Sequence, residues 1–239
     1  MAPLPWQAVP VRRTSRILVV VAAGLLALGL TACKGNDDTS SDETPTDRLT
    51  AAKTSLDEAE YIGFTLSTES LPDDLDGLLS ASGTGTHDPA FTGEVKVQTA
   101  IDITAPVIAV DGKVYAKLPF SPYAELDPGQ YGAPDPADLM STDSGISSLL
   151  PETQGATEGD SKRDGDTVLT EITGTLPAES VQGVFPSAGT EDFDVTYTLT
   201  DDNVLDSATV TGPFYDGYDD VTYQLTFDLD AEPVEIEAP

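Results

Sequence analysis

Residues 221–230 (VTYQLTFDLD) carry the strictest two-residue alternation in the chain. Val221, Tyr223, Leu225, Phe227 and Leu229 fall on one side, and Thr222, Gln224, Thr226, Asp228 and Asp230 on the other. Successive side chains of a strand point to opposite faces, so this segment predicts a strand with one apolar and one wet face. Many such strands in one chain require an antiparallel sheet with its apolar face covered and its other face in water. The chain supplies them: Ile62, Phe64 and Leu66; Val168, Ile172 and Leu176; Val195, Tyr197 and Leu199; and the run 205–211. From Gly93 onward, Val95, Val97, Ile101 and Ile103 share a side against Glu94, Lys96, Gln98 and Asp102, which reads as one strand. Val107–Val110 and Lys113–Leu118 flank Asp111-Gly112, a pair suited to the positive φ angles of a type I′ hairpin turn. Val114, Ala116 and Leu118 then share one face of the second arm.

Helical spacing is confined to short pieces. Leu49, Ala52, Leu56 and Ala59 predict an amphipathic helix over 47–60. Asp135-Pro136 reads as an N-cap with proline at the first helical position, and Asp143 as the cap of a second helix carrying Ile146, Leu149 and Leu150 and ended by Pro151. A helix from Pro177 carries Val181, Val184 and Phe185 and stops at Pro186. The Asp-, Gly- and Ser-rich stretch 70–90 reads as a loop or frayed strand with an apolar island at Leu75, Leu78 and Leu79, and holds the only histidine, His87, as a surface residue. Residues 152–166 predict one weak strand and a turn, and the tail Pro233–Ile236 an extended edge. The sum is an α+β domain over 47–239: one meandering antiparallel sheet of about eight to eleven strands with three or four short helices.

The first 46 residues follow different rules. Arg12, Arg13 and Arg16 precede the uncharged run Ile17–Leu30, which has the length of a signal-peptide core and is short for a membrane span. Thr31-Ala32 then leads into Cys33, the only cysteine, so no internal disulfide can form. This arrangement resembles a bacterial lipobox. It implies that residues 1–32 are a signal peptide, removed just before Cys33, and that the Cys33 thiol carries a diacylglyceryl group. The alternatives are an ordinary export signal or an N-terminal anchor helix with an incidental thiol. Residues 33–46 are polar, acidic and free of apolar anchors, the composition of a disordered tether.

Charge excludes one large class of function. The chain has 11 basic and 42 acidic side chains. Three arginines lie in the signal segment, so 8 basic against 42 acidic groups remain after it, a formal charge of −34. Such a surface cannot neutralise phosphates, which excludes nucleic acid as a partner. It is also repelled by anionic headgroups, which makes a covalent lipid a sensible means of staying at a membrane. No serine elbow, zinc motif, phosphate loop or cysteine–histidine cluster is present, and a lone histidine completes no triad. The acidic stretches 160–166 and 216–220 lack EF-hand spacing. The expectation is a non-enzyme with no cofactor and no metal.

Several motifs occur together in a particular order. Val110-Asp111-Gly112-Lys113-Val114-Tyr115-Ala116-Lys117, Leu126-Asp127-Pro128, Asp135-Pro136-Ala137-Asp138-Leu139, Thr173-Gly174-Thr175-Leu176-Pro177-Ala178 and Val234-Glu235-Ile236-Glu237-Ala238-Pro239 resemble successive stretches of the LppX/LprA/LprF/LprG envelope lipoproteins of mycobacteria. Phe120-Ser121-Pro122-Tyr123 stands where that family usually has a tryptophan-containing segment, and the domain itself has no tryptophan. The resemblance implies a half-barrel sheet whose concave face is covered by helices, similar to the lipoprotein carriers LolA and LolB, with an apolar cavity between the layers. It implies an acylated lipid or glycolipid as ligand, the membrane as a partner through lipidated Cys33, and an envelope transporter as a further partner. On the sheet, the expected cavity residues are Phe64, Leu66, Leu79, Val95, Val97, Ile101, Ile108, Val114, Ala116, Leu118, Val168 and Ile172. On the covering helices they are Leu139, Ile146, Leu149, Val181 and Phe185. Loops around 70–90 and 119–143 are expected at the mouth. Pattern alone leaves the rival open: the same residues would form a filled core in a structural, adhesive or transporter-regulating lipoprotein.

Overall fold

The computed structural model describes residues 43–239. The Ile17–Leu30 run, Cys33 and most of the expected tether lie outside the described residues. Residues 41–239 form a compact unit by themselves. In chain order the elements are α1 (Pro45–Glu58), β1 (Ile62–Ser67), β2 (Gly77–Thr86), β3 (Ala90–Gln98), β4 (Ile103–Val110), β5 (Lys113–Lys117), β6 (Tyr123–Leu126), α2 (Leu149–Glu152), β7 (Gln154–Asp164), β8 (Thr167–Leu176), α3 (Ala178–Val184), β9 (Phe193–Thr200), β10 (Leu205–Gly212) and β11 (Val221–Asp228). Short 3₁₀ turns at Pro128–Tyr131, Asp138–Met140 and Ile146–Ser148 lie between β6 and α2.

The strands form one open antiparallel sheet of 11 strands in the order β6-β5-β4-β3-β2-β1-β11-β10-β9-β8-β7. Two meanders, β1–β6 and β7–β11, meet where the first strand pairs with the last, Phe64 opposite Phe227 and Leu66 opposite Leu225. The short helices and turns cover one face. Ile172, Leu176, Phe193, Leu199 and Leu205 are fully buried in the β7–β11 half, together with Leu150 of α2 and Val181 of α3.

The start of α1 is set by a capping box. The Thr44 hydroxyl accepts from the Asp47 amide, the Asp47 carboxylate accepts from the Thr44 amide and hydroxyl, and Pro45 follows the cap. The helix thus begins two residues before the predicted start. Its buried Arg48 donates to Asn203 Oδ1 (2.8 Å), the Thr200 carbonyl (3.1 Å) and Glu158 (3.1 Å), fixing α1 to the β9–β10 turn and to β7.

Elsewhere the structure corrects the expectations. The stretch 70–90 contains β2, a ten-residue strand that its glycine and serine content disguised. Gly83 pairs with Gly93, and a Cβ on either would come within 2.7 Å of the buried Phe91 ring, so glycine lets that ring lie against both strands. The single strand expected from Gly93 to Ile103 is instead a hairpin that turns at 99–102. There the Thr99 hydroxyl donates to the Ile101 carbonyl (2.7 Å), and Lys96 pairs with Asp102 (3.0 Å). Asp127 caps the 3₁₀ turn at Pro128, accepting from Gly129 N (3.0 Å), and Asp135 accepts from Ala137 N (2.9 Å), but Asp143 caps nothing. Pro151 sits inside α2, where its missing N–H has no helical partner to lose. The sheet edges are β6 and β7, not the C-terminal tail, which forms no strand. β7 is almost wholly exposed, polar and broken by two register shifts, features that blunt an edge.

Candidate ligand cavity

A cavity of about 260 Å³ lies on the helix-covered side of the β1–β6 half. Its floor is Phe64 of β1, Leu78 and Ala81 of β2, Val95 and Val97 of β3, Ile103, Ala105 and Val107 of β4, Val114, Ala116 and Leu118 on and just after β5, and Ala124 and Leu126 of β6. Its roof is Pro128, Tyr131, Ala133, Pro134, Pro136 and Leu139. The only ionisable carboxylate at its wall, Glu125, is held by Lys113 at 2.9 Å. The space exists for two reasons. Most floor positions are alanine or valine, and the roof is made of 3₁₀ turns and prolines rather than a helix bearing large side chains. The volume lies just below the roughly 300–1,000 Å³ typical of small-molecule pockets.

The other half of the face is filled. A void of only about 30 Å³ remains under α2 and α3, where Tyr197, Phe214, Tyr223 and Leu205 occupy the space. Phe214 meets Phe185, Phe193 and Tyr223 edge-on at 5.5, 4.9 and 4.8 Å.

A hydrogen-bonded tyrosine pair divides the two halves. The Leu78 amide donates to Tyr215 Oη (2.9 Å), and Tyr223 Oη donates to the Leu78 carbonyl. A phenol has one proton, so Tyr223 must accept from Tyr215, 2.9 Å away, and the three bonds close a ring. Burial and the neighbouring Tyr215 push the Tyr223 hydroxyl far above its ordinary value. Burial does the same to Tyr197, partly opposed by its bond to Thr153 (3.0 Å). Burial also raises Asp135, within the roof segment between Pro134 and Pro136.

The expected cavity residues are thus distributed. Phe64, Val95, Val97, Val114, Ala116, Leu118 and Leu139 line the cavity. Leu66, Ile146, Leu149, Val181 and Phe185 surround the small void, and Ile172 is buried in the filled half. Val168 and Leu79 are half-buried and off the cavity. Leu79 is displaced because a bulge between Leu78 and Ser80 turns Leu78 inward. Ile108 pairs with Tyr115 on the opposite phase of β4, a one-residue slip that exchanges it for Val107. Ile101 stands on the 99–102 turn, 80% exposed. Ala81, Ile103, Ala105, Ala124 and Leu126 were not foreseen, although the alternation Ile103, Ala105, Val107 carried that signal. His87 is not a free surface residue. Its Nδ1 lies 2.7 Å from the Met140 carbonyl and its Nε2 3.0 Å from the Leu56 carbonyl, clamping the β2–β3 turn to α1 and to the roof.

The class this geometry defines is an open antiparallel sheet, roofed by short turns and hollow over half of one face. Residues 44–236 match the LppX_LprAFG lipoprotein model, and the chain belongs to that family. Among solved structures, LprF from Mycobacterium bovis superposes with a TM-score of 0.67 at 16% identity, over 82% of this chain and 96% of LprF. LppX from Mycobacterium tuberculosis superposes with a TM-score of 0.60 at 19% identity, over 82% of this chain and all of LppX, 100%. What is shared at these identities is the fold. No curated protein sequence matches the chain.

Proposed function

We propose that this protein is a non-enzymatic envelope lipoprotein that holds an acyl chain of a lipid or glycolipid in the β1–β6 cavity and carries or presents it in the envelope. Lipidated Cys33 keeps it at the extracytoplasmic face of a membrane, and an envelope transporter is a fitting source or recipient of cargo. The observation that carries the reading is the cavity: about 260 Å³, apolar on floor and roof, with its one carboxylate already paired. Each buried methylene contributes about 0.8 kcal/mol, so even a partly enclosed chain offsets the cost of association.

The test is acyl binding. Residues 41–239, expressed in a host making such lipids, should retain lipid in native mass spectrometry and bind a fluorescent fatty acid. Ala116 is buried and faces the cavity from β5. Ala116→Trp fills the space and should weaken probe binding at least about tenfold, a change of about 1.4 kcal/mol, with an unchanged circular dichroism spectrum. Absence of both co-purified lipid and probe binding in the parent would sink the reading and favour a filled-core structural lipoprotein.

A further inference from the structure

The large hydrophobic side chains that stand exposed among the described residues are Ile101, Leu118, Phe120, Tyr131 and Tyr218. Four of them lie on loops at one end of the sheet, and Tyr131 precedes Gly132, which is tied to a loop at that end by Ser187. Ile101 is on the β3–β4 turn, Leu118 and Phe120 on the β5–β6 turn, Tyr131 on the 3₁₀ turn after β6 and Tyr218 on the β10–β11 loop. Alternate turns of an antiparallel meander share an end, and side-chain bonds tie the ends of these segments together. Gln98 donates to the carbonyls of Pro72 and Leu75, and Ser187 donates to Gly132. The chain enters the domain at the opposite end, where Asn203 of the β9–β10 turn donates to Glu43 (3.0 Å). Glu43, the first described residue, is therefore at the end away from the apolar one.

Two further observations point to a ligand surface there. Leu118 and Tyr131 also line the cavity, so the exposed apolar rim is continuous with its interior. Phe120 is fully exposed and has φ 65°, a conformation that bulky residues avoid and that glycine or asparagine would hold without the clash. Folding gains nothing from that ring in water. The end is also acidic. Asp73, Asp74 and Asp76 lie on the β1–β2 loop and Asp216, Asp219 and Asp220 on the β10–β11 loop, against Lys117 and a Lys96 already paired with Asp102. Anionic headgroups are repelled by such a rim. Tyrosine and phenylalanine at its edge suit the boundary between headgroup and acyl chain.

We propose that this end is a docking rim that seats on a lipid leaflet of net-neutral headgroups, so that an acyl chain passes between leaflet and cavity without crossing water. The proposal rests on the acyl-binding reading and adds the surface through which it operates.

The domain lacks tryptophan, since Trp6 lies ahead of it, so Phe120→Trp in residues 41–239 places a single reporter on the rim. Phosphatidylcholine vesicles should shift its emission to the blue, and phosphatidylglycerol vesicles at low salt should do so far less. Ile101→Ser should weaken partition of that reporter at least about tenfold, and Phe120→Ser should abolish cosedimentation of the domain with phosphatidylcholine vesicles. Neither residue lines the cavity, so both serine variants should bind a soluble fluorescent fatty acid as the parent does. No shift with phosphatidylcholine while the fatty acid still binds overturns the docking rim alone. Loss of fatty-acid binding in the parent removes the acyl-binding reading beneath it. A Phe120-dependent dimer without vesicles, or vesicle binding that requires an added envelope protein, assigns the rim to another occupant and overturns the proposal.

Discussion

Tyr223 commits its only proton to the Leu78 carbonyl, and its oxygen accepts from Tyr215. The pair stands on the seam between the hollow and the filled half of the sheet. Tyr223→Phe keeps the ring and its edge-on contact with Phe214 but leaves the Leu78 carbonyl and the Tyr215 hydroxyl without that partner in a buried site. A buried polar group stripped of its partner costs about 1–3 kcal/mol. Urea denaturation should show a loss in that range with an unchanged slope. No residue-level rule points to this ring in the sequence. Tyr215 and Tyr223 are eight positions apart, and their shared partner Leu78 is more than a hundred residues away.

Among the elements, α1 owes its start to local chemistry. Asp47 is held below its ordinary value of 3.8 by bonds from the Thr44 hydroxyl and amide. A folded-state value lowered in this way gives stabilisation that is present above 3.8 and is lost as pH falls through the depressed value. Thr44→Ala should therefore lower the melting temperature at neutral pH. That difference should shrink in acid, as measured by thermal melts at the two conditions. The element level is also where sequence reading worked best and failed most informatively. β9 and β11 were legible because each has one face in the core and one turned away from it, so alternation follows from burial. β2 was not, because Gly83 and its partner Gly93 are there for the Phe91 ring and carry no side-chain pattern of their own.

For the whole molecule, the proposed lipidation at Cys33 and the proposed acyl binding belong to separate parts of the chain and can be tested apart. The domain is compact from residue 41 onward, and Cys33 lies ahead of it. Cys33→Ala should abolish incorporation of labelled palmitate and reduce membrane association, while fatty-acid binding by residues 41–239, which lack Cys33, is intact. Palmitate labelling that persists without Cys33 would exclude the lipobox reading.

What the sequence determined by itself is the one-sided sheet and the phase of most of its strands. A two-residue period with one polar face permits little but a one-sided antiparallel sheet, and the Asp111-Gly112 turn and the Thr44 cap act over a few residues. The alternation also put Phe64, Val95, Val97, Val114, Ala116 and Leu118 on the inward sides of their strands, which line the hollow half. Only the tertiary structure decided that Leu66, Ile146, Leu149, Val181 and Phe185, equally apolar and equally inward, belong to a filled half. A strand's pattern records which side leaves water. Whether that side meets a bulky neighbour or a gap depends on what crosses over it, here Phe214 and the tyrosine pair on one half and prolines and 3₁₀ turns on the other.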